Sequence, residues 1–329
     1  MEYRRLGSTG LKISRIALGC GNFGGVGSAP QFFGMGDDER QAGALMDRAF
    51  EAGVTLFDTA NAYGGGRSES FIGRWLQAKG SAARQRLVLS SKVFNAVGPG
   101  PNDRGLSRRH VLAQVEESLA RLKTDRLDLY LIHEPDPGTP LDETLRALDD
   151  LVRAGKVLYV GASNIEAWRL ARGLWISDVR RLVRFDSVQN AYSLLDRSPE
   201  QEMFPLCAEC GVGFTAFSPL AGGWLSGKYR AAGTYPAGSR MTLRPEPYRH
   251  LESGRVFAAL AAFAREADAR GVDMTALAIA WVLHHPRVDA AIAGPRTPAH
   301  LDAALAALSI RLSDDEASQF VRLFADSQQ

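Results

Sequence analysis

LDLYLIHEPDPGTPLDETLRALDDLVRAGKVLYVGAS, residues 127–163, decides how the chain is to be folded. It starts with an apolar run, LDLYLIH (127–133), that ends in a histidine. Residues 141–153 then repeat leucines at helical spacing between charged positions. A second apolar run, KVLYVGAS (156–163), ends in a serine. Strand, helix and strand in one short stretch read as a parallel crossover unit.

The same alternation extends both ways. Upstream lie IALG (16–19), VTLFD (54–58) and RLVLSSK (86–92); downstream lie RFDSVQN (184–190), GFTAFS (213–218) and DAAIAG (289–294). Helical patterns at 38–52, 68–79, 107–122, 164–173, 200–210, 251–270, 274–284 and 298–308 separate most of these runs. Eight such strands predict an α/β fold, a (β/α)8 TIM barrel. YRRLGSTGLKIS (3–14) is expected to form an N-terminal β-hairpin, and 313–325 an extra C-terminal helix outside the barrel. Pro- and Gly-rich pieces at 22–36, 94–105, 134–140 and 219–247 follow strand ends and do not divide the pattern. They read as loops of a single domain, 1–329.

Composition narrows the function. The chain has 329 residues, 39 basic and 37 acidic, for a net charge of +2. That balance gives no general signal for nucleic acid or an anionic membrane. The Arg180, Arg181, Arg184 cluster reads as a solvated surface. No secretory leader or transmembrane-length apolar run is visible, so the cytoplasm is the expected compartment. The three cysteines, Cys20, Cys207 and Cys210, make a poor disulfide framework. Cys207 and Cys210 have C-x-x-C spacing but lack a second ligand pair.

In a barrel of this kind the strand C-termini converge on the face where chemistry occurs. Here the strands end in Asp58, Lys92, His133, Ser163 with Asn164, Gln189 with Asn190, and Phe217 with Ser218, and the last runs into Gly294 and Arg296. Singly, each residue has a structural explanation as a cap, a turn or a solvated side chain. Together they make a site. Lys92 and Asp58 end adjacent strands and can pair. FDTANAYGGGRSE (57–69) carries Tyr63 just beyond Asp58, on a glycine-rich loop. A tyrosine beside Lys92 has its anionic form favoured, which suits it to proton transfer. His133 can orient or polarise a carbonyl oxygen. Such a site moves protons but has no electron source, so a reductase would need a hydride cofactor.

Gly19-Cys-Gly-Asn-Phe-Gly24 matches G-x-G-x-x-G after a strand. The dinucleotide fingerprint needs a helix opening on those glycines, and here loop sequence continues to about Asp37 or Asp38. A loop over a pocket is expected instead. Its Phe23, Phe32, Phe33 and Met35 either line an apolar substrate wall or pack the loop down.

LGSTGLKIS (6–14), FDTANAYGGGRSE (57–69), LSSK (89–92), LDLYLIH (127–133), GKVLYVGASN (155–164), VQNAYSLL (188–195), FSPLAGGWLSGKY (217–229) and IAGPRTPAHL (292–301) together resemble the aldo-keto reductases, in a bacterial-type form. The resemblance covers nearly the whole chain. It implies a catalytic tetrad of Asp58, Tyr63, Lys92 and His133, with Tyr63 as general acid, Lys92 and Asp58 tuning it and His133 placing the carbonyl. It implies that Ser163, Asn164 and Gln189 hold the nicotinamide amide and that Phe217 stacks on its ring. Ser218, Leu220, Gly222 and Lys228 correspond to the pyrophosphate region. Gly294, Arg296 and Thr297 fall near the adenosine 2′-phosphate, where a guanidinium suits a phosphate. NADPH is therefore the implied cofactor, with NADH as an alternative. Many relatives next carry a glutamine or arginine and then an acidic-asparagine pair against adenine. This chain reads His300, Leu301, Asp302, Ala303, Ala304, which depletes those contacts.

The implied function is NADPH-dependent reduction of an aldehyde or ketone to an alcohol. Sugar or polyol substrates fall within the same chemistry. A different class is an NADPH-binding regulatory or channel-associated subunit with low turnover; the complete tetrad argues against loss of catalysis and leaves a regulatory role open. A metal-dependent barrel hydrolase would want several ligands at strand ends, and only His133 of six histidines is so placed, so no metal is expected. Trp224, Tyr229, Tyr235, Arg240 and Arg244 of the long 219–250 loop are candidates for a cofactor clasp and substrate rim, and Trp224 equally for packing.

Overall fold

A computed structural model describes residues 1–325, so the last four positions of the expected domain lie outside the described residues. Strands β1 (Tyr3–Arg5) and β2 (Lys12–Ser14) form an antiparallel hairpin. Eight parallel strands follow: β3 (Ile16–Gly19), β4 (Leu56–Asp58), β5 (Val88–Val93), β6 (Leu127–Ile132), β7 (Val157–Ser163), β8 (Ser187–Ala191), β9 (Gly213–Phe217) and β10 (Ala290–Ala293). They pair in chain order, and β10 returns to β3 to close a barrel. The helices are α1 (Glu39–Glu51), α2 (Arg67–Lys79), α3 (Ser81–Arg86), α4 (Arg108–Leu122), α5 (Leu141–Arg153), α6 (Ala167–Arg180), α7 (Met203–Cys210), α8 (Arg240–Leu243), α9 (Gly254–Ala269), α10 (Met274–His284), α11 (Pro298–Ala306) and α12 (Asp314–Leu323). This is the (β/α)8 TIM barrel the alternation predicts. None of the described helices is long and apolar enough to cross a membrane.

The helices form where the sequence supplies one apolar stripe and a cap. In α5, Leu145, Leu148 and Leu151 are buried, Asp142 and Glu143 sit in the first turn and Arg153 in the last, which suits the helix dipole. Helix α1 opens on a capping box between Asp38 and Gln41. Helix α12 uses the same device with Ser313 and Glu316, and buries Phe320 against Phe263 of α9. Burying one phenylalanine is worth about 2 kcal/mol, enough to hold a short amphipathic helix to the barrel.

There are two cores. Leu56, Val88, Leu129, Leu131, Ala290 and Ile292 fill the inside of the barrel, and Leu6 and Ile13 of the hairpin segment pack onto them as a plug. The larger core lies between the strands and the helices. The plug is tied to the far end of the chain: Gly7 N–H donates to Asp289 Oδ2 (2.9 Å) and the Arg15 guanidinium donates to the carbonyls of Leu283 and Val288. The opposite end of the barrel carries the polar strand ends.

Several boundaries differ from expectation. Helix α6 begins at Ala167, because Asn164 has a φ of +51° and cannot start a helix. It continues past Gly173 to Arg180, since Gly173 lets the helix approach Phe185. Helices α3 and α8 were not expected. Strand β8 begins three residues later than the run at 184, and His133 and Gly294 lie just beyond β6 and β10. Residues 20–38 hold no α-helix, only a 3₁₀ turn at Pro30–Phe32, so the Gly19–Gly24 match is a loop. Phe23 in that loop is fully buried and packs it down, while Phe33 lies against Gly65.

Candidate active site

Register sets the first contacts. Asp58 pairs with Ser90 across β4 and β5, which puts Lys92 one inward-facing step further along. The Lys92 ammonium donates to Asp58 Oδ2 (2.6 Å), to the Thr59 carbonyl (3.0 Å) and to Tyr63 Oη (3.3 Å). An ammonium has three N–H donors, and all three are engaged. Asp58 Oδ1 accepts from Ser90 Oγ (3.1 Å) and Gln189 Nε2 (2.9 Å). Asp58 and Lys92 are almost fully buried, so the charges are matched where an unmatched one would be costly.

Tyr63 reaches this pair because the chain bends sharply after it. Gly64, Gly65 and Gly66 all have positive φ, at +57°, +68° and +85°. A Cβ on Gly64 would lie 2.6 Å from the Phe23 carbonyl oxygen. The glycines therefore permit both the turn and its contact with the β3–α1 loop.

Burial is the largest influence on Tyr63 and raises its pKa. Lys92 pulls the other way, as the sequence suggests, but burial wins. Tyr63 is thus a protonated phenol at neutral pH. That corrects the expectation of a favoured phenolate, which rests on charge alone. For Lys92, burial disfavours the cation, but Asp58 and then Tyr63 outweigh it and the net shift is upward. His133 is brought down to about 3, first by burial and then by Lys92, so its ring is neutral. The amide nitrogen of Asn95 lies 2.9 Å from His133 Nδ1. An amide N–H₂ only donates, so Nδ1 accepts and the ring proton sits on Nε2. The Tyr63 and His133 rings meet edge to face at 5.5 Å.

The structure brings the four tetrad candidates together with Gln189. Ser163 pairs with Gln189 across β7 and β8. Asn164 Nδ2 donates to the His133 carbonyl (3.0 Å) and to Ser163 Oγ (3.2 Å). Among the described residues, five non-glycine residues have positive φ. Lys123 and Arg181 are helix C-caps, but Asn164, Ser218 and Ala221 all follow strand ends at this face. Strain of that kind gathers at ligand sites. Phe217 ends β9, followed by Ser218 and Leu220. Tyr248, not foreseen, lies over Gly222 and 3.4 Å from Ser218 Oγ.

A basic cluster occupies the neighbouring rim. Burial, then Arg240 and Arg296, lowers the pKa of Lys228, although Lys228 as a whole residue is exposed. Burial also lowers that of Arg240, with Arg244 and Arg296 among the further causes. These cations repel one another, and that arrangement fits a polyanionic ligand such as a dinucleotide. Thr297 uses its hydroxyl to cap α11, accepting from His300 N–H (3.2 Å). Trp224 is fully buried against Tyr229 and Phe257, which settles it as packing.

The matching family description is the aldo/keto reductase family, over residues 15–324. The chain belongs to that family. Among its relatives, an uncharacterized oxidoreductase, YrpG, of Bacillus subtilis (strain 168) is 39% identical over 323 residues, 96% of this chain and 93% of the relative. A versiconal hemiacetal acetate reductase of Aspergillus parasiticus is 35% identical over 340 aligned positions, 96% and 95% of the two chains. A probable voltage-gated potassium channel subunit beta of Arabidopsis thaliana is 35% identical over 299 residues, 89% of this chain and 87% of the relative. This aldo/keto reductase is an NAD(P)H-dependent oxidoreductase that acts on small molecules.

Sequence reasoning did not single out Asn95, Thr59 or Ser90. Asn95 lies three residues past Lys92, at the start of a loop, and polar residues just beyond a site strand are the signal that could have found it. The three cysteines are free, and burial first of all pushes the Cys207 thiol up to about 12, which makes it inert. A cavity of about 410 Å³ lies off the tetrad, between the loops after β6 and β7, against Leu141, Ile165, Trp168 and Arg172. That cavity holds none of the tetrad's polar groups.

Proposed function

We propose that this chain reduces an aldehyde or ketone to an alcohol with NADPH, and that Tyr63 is the proton donor. One observation carries the reading: Lys92 gives one N–H to Asp58, one to Thr59 and the third to the Tyr63 oxygen. Because that oxygen already accepts, the phenol proton is directed away from Lys92 and is free for a carbonyl oxygen. A bound nicotinamide supplies the hydride. Tyr63 gives its proton to the carbonyl oxygen as negative charge develops there. His133 donates from Nε2 to the same oxygen and holds it in place. The phenolate left on Tyr63 is stabilised by the ammonium of Lys92, whose own charge Asp58 secures. In the opposite direction Tyr63 takes the proton from an alcohol.

Ser163, Asn164 and Gln189 would hold the nicotinamide amide, with Phe217 against the ring. Ser218, Leu220, Gly222 and Lys228 would meet the pyrophosphate. Gly294, Arg296 and Thr297 would meet the adenosine end, and Arg296 is the reason for choosing NADPH over NADH. The working unit is one barrel domain. Three free cysteines favour a reducing compartment, the cytoplasm.

The test is a titration of the purified protein with NADPH and NADH, followed by fluorescence quenching, beside the Tyr63→Phe variant. That variant should bind NADPH as the wild type does and lose reduction by about 10²–10⁴-fold. Wild-type turnover by Tyr63→Phe would remove the tyrosine from the acid role. A second reading, an NADPH-binding regulatory subunit, is favoured by the channel-subunit name of the Arabidopsis relative. Saturable NADPH binding without turnover on a broad carbonyl panel would select it.

A further inference from the structure

The basic rim contains one carboxylate that the mechanism does not use. Asp37 lies in the β3–α1 loop and its side chain is only 2% exposed. Its backbone is pinned: the N–H donates to the Asn22 carbonyl (2.7 Å), and the carbonyl accepts from Gly24 N–H (2.8 Å). Asp37 Oδ1 is 3.6 Å from Arg296 Nε, while Oδ2 is buried and accepts no hydrogen bond among the described residues. Such a carboxylate depends on the neighbouring cation. Arg296 is tied on its other side to the Gly238 carbonyl (2.7 Å) and keeps a side chain 40% exposed. Among the described residues, Lys228, Arg240 and Arg244 have no such carboxylate partner.

We propose that Asp37 is an internal competitor for Arg296 and lowers the advantage of a dinucleotide with a 2′-phosphate over one without it. The inference rests on the proposed place of Arg296 at the adenosine end. A phosphate reaching Arg296 meets a fixed negative charge on the same guanidinium. Asp37 stays beside the guanidinium, with its backbone held at both N–H and carbonyl and its side chain buried. An unphosphorylated ribose brings no charge for Asp37 to oppose. Burial raises the Asp37 carboxyl to about 6, against the pull of Arg296, so at pH 8 it is ionised.

The experiment compares wild type, Asp37→Asn, Arg296→Gln and the double variant at pH 8, with NADPH and NADH titrated separately by calorimetry. Asp37→Asn should tighten NADPH by about tenfold and leave NADH unchanged within roughly twofold. The double variant should show no such gain. An unchanged or smaller preference for NADPH in Asp37→Asn overturns the inference, a smaller one making Asp37 the positioner of Arg296. An Arg296→Gln variant that keeps the wild-type preference defeats instead the placement of Arg296 on which the inference rests. Binding of neither nucleotide by the wild type defeats the cofactor reading as a whole. If Asp37→Asn fails to fold, Asp37→Ser carries the same comparison.

Discussion

Two charged clusters share the top of this barrel, and they are built in opposite ways. Around Lys92 the charges are matched and the donors engaged, in residues held by β4, β5 and β8 and buried within them. Around Lys228, Arg240, Arg244 and Arg296, cations neighbour cations, and among the described residues only Arg296 of the four pairs with a carboxylate, that of Asp37. The first cluster is complete on its own and so can be part of the folded core. The second is repulsive on its own, and a bound anion would relieve it. The difference teaches where each kind of site can live. Matched charge tolerates burial in the sheet, whereas unmatched charge has to stay on loops that water can reach.

The largest expected effect breaks the matched cluster. Lys92→Met leaves Asp58 as a buried charge without its cation. It should cost about 3–5 kcal/mol of folding stability, read from denaturant unfolding, and abolish measurable reduction. A variant as stable as wild type would show that the cluster is not self-contained.

A smaller effect probes the unmatched cluster. Lys228→Gln removes one of the mutually repelling cations but keeps most of the length of the side chain. The free protein should be no less stable on thermal unfolding, while NADPH binding weakens by about tenfold and becomes less sensitive to salt. Loss of stability with binding unchanged would reverse the assignment of that cluster.

The smallest effect sharpens the contrast from within the matched cluster. With His133 held at about 3, protonation cannot limit turnover near neutrality. Between about pH 5 and 8 the rate of reduction should show no inflection from an imidazole. A step near pH 6.5 would mean that the ring is solvated. The unfolded chain binds that proton more readily than the folded one. The neutral ring's contribution is therefore complete above the unfolded value of about 6.5 and declines as pH falls toward 3.

The sequence made the strands and the polar face at their C-terminal ends legible for one reason. Short apolar runs that end in polar residues state both where a strand lies and what it presents. Asp58, Lys92 and His133 follow from that pattern, and the glycines after Tyr63 announce a turn. The start of α6 was not legible because asparagine favours both a helix N-cap and left-handed backbone, and the type of Asn164 alone does not choose between them. The direction of the Tyr63 shift was not legible, since a neighbouring lysine can be read from sequence but depth of burial cannot. Asp37, Asn95 and Tyr248 escaped for a related reason. They come from loops, and which partners a loop residue meets depends on the path of the chain between strands.

The hairpin under the barrel bears on how the protein is made. Its Gly7 is bonded to Asp289, 282 positions away, and β3 must wait for β10 before the ring can shut. Residues made well before β10 are therefore among the last to find their partners. Distance of this kind affects the speed of folding more than the final stability. Until the last strand has been synthesised, Leu6 and Ile13 have only part of the surface they eventually cover, and the nascent chain carries an open seam.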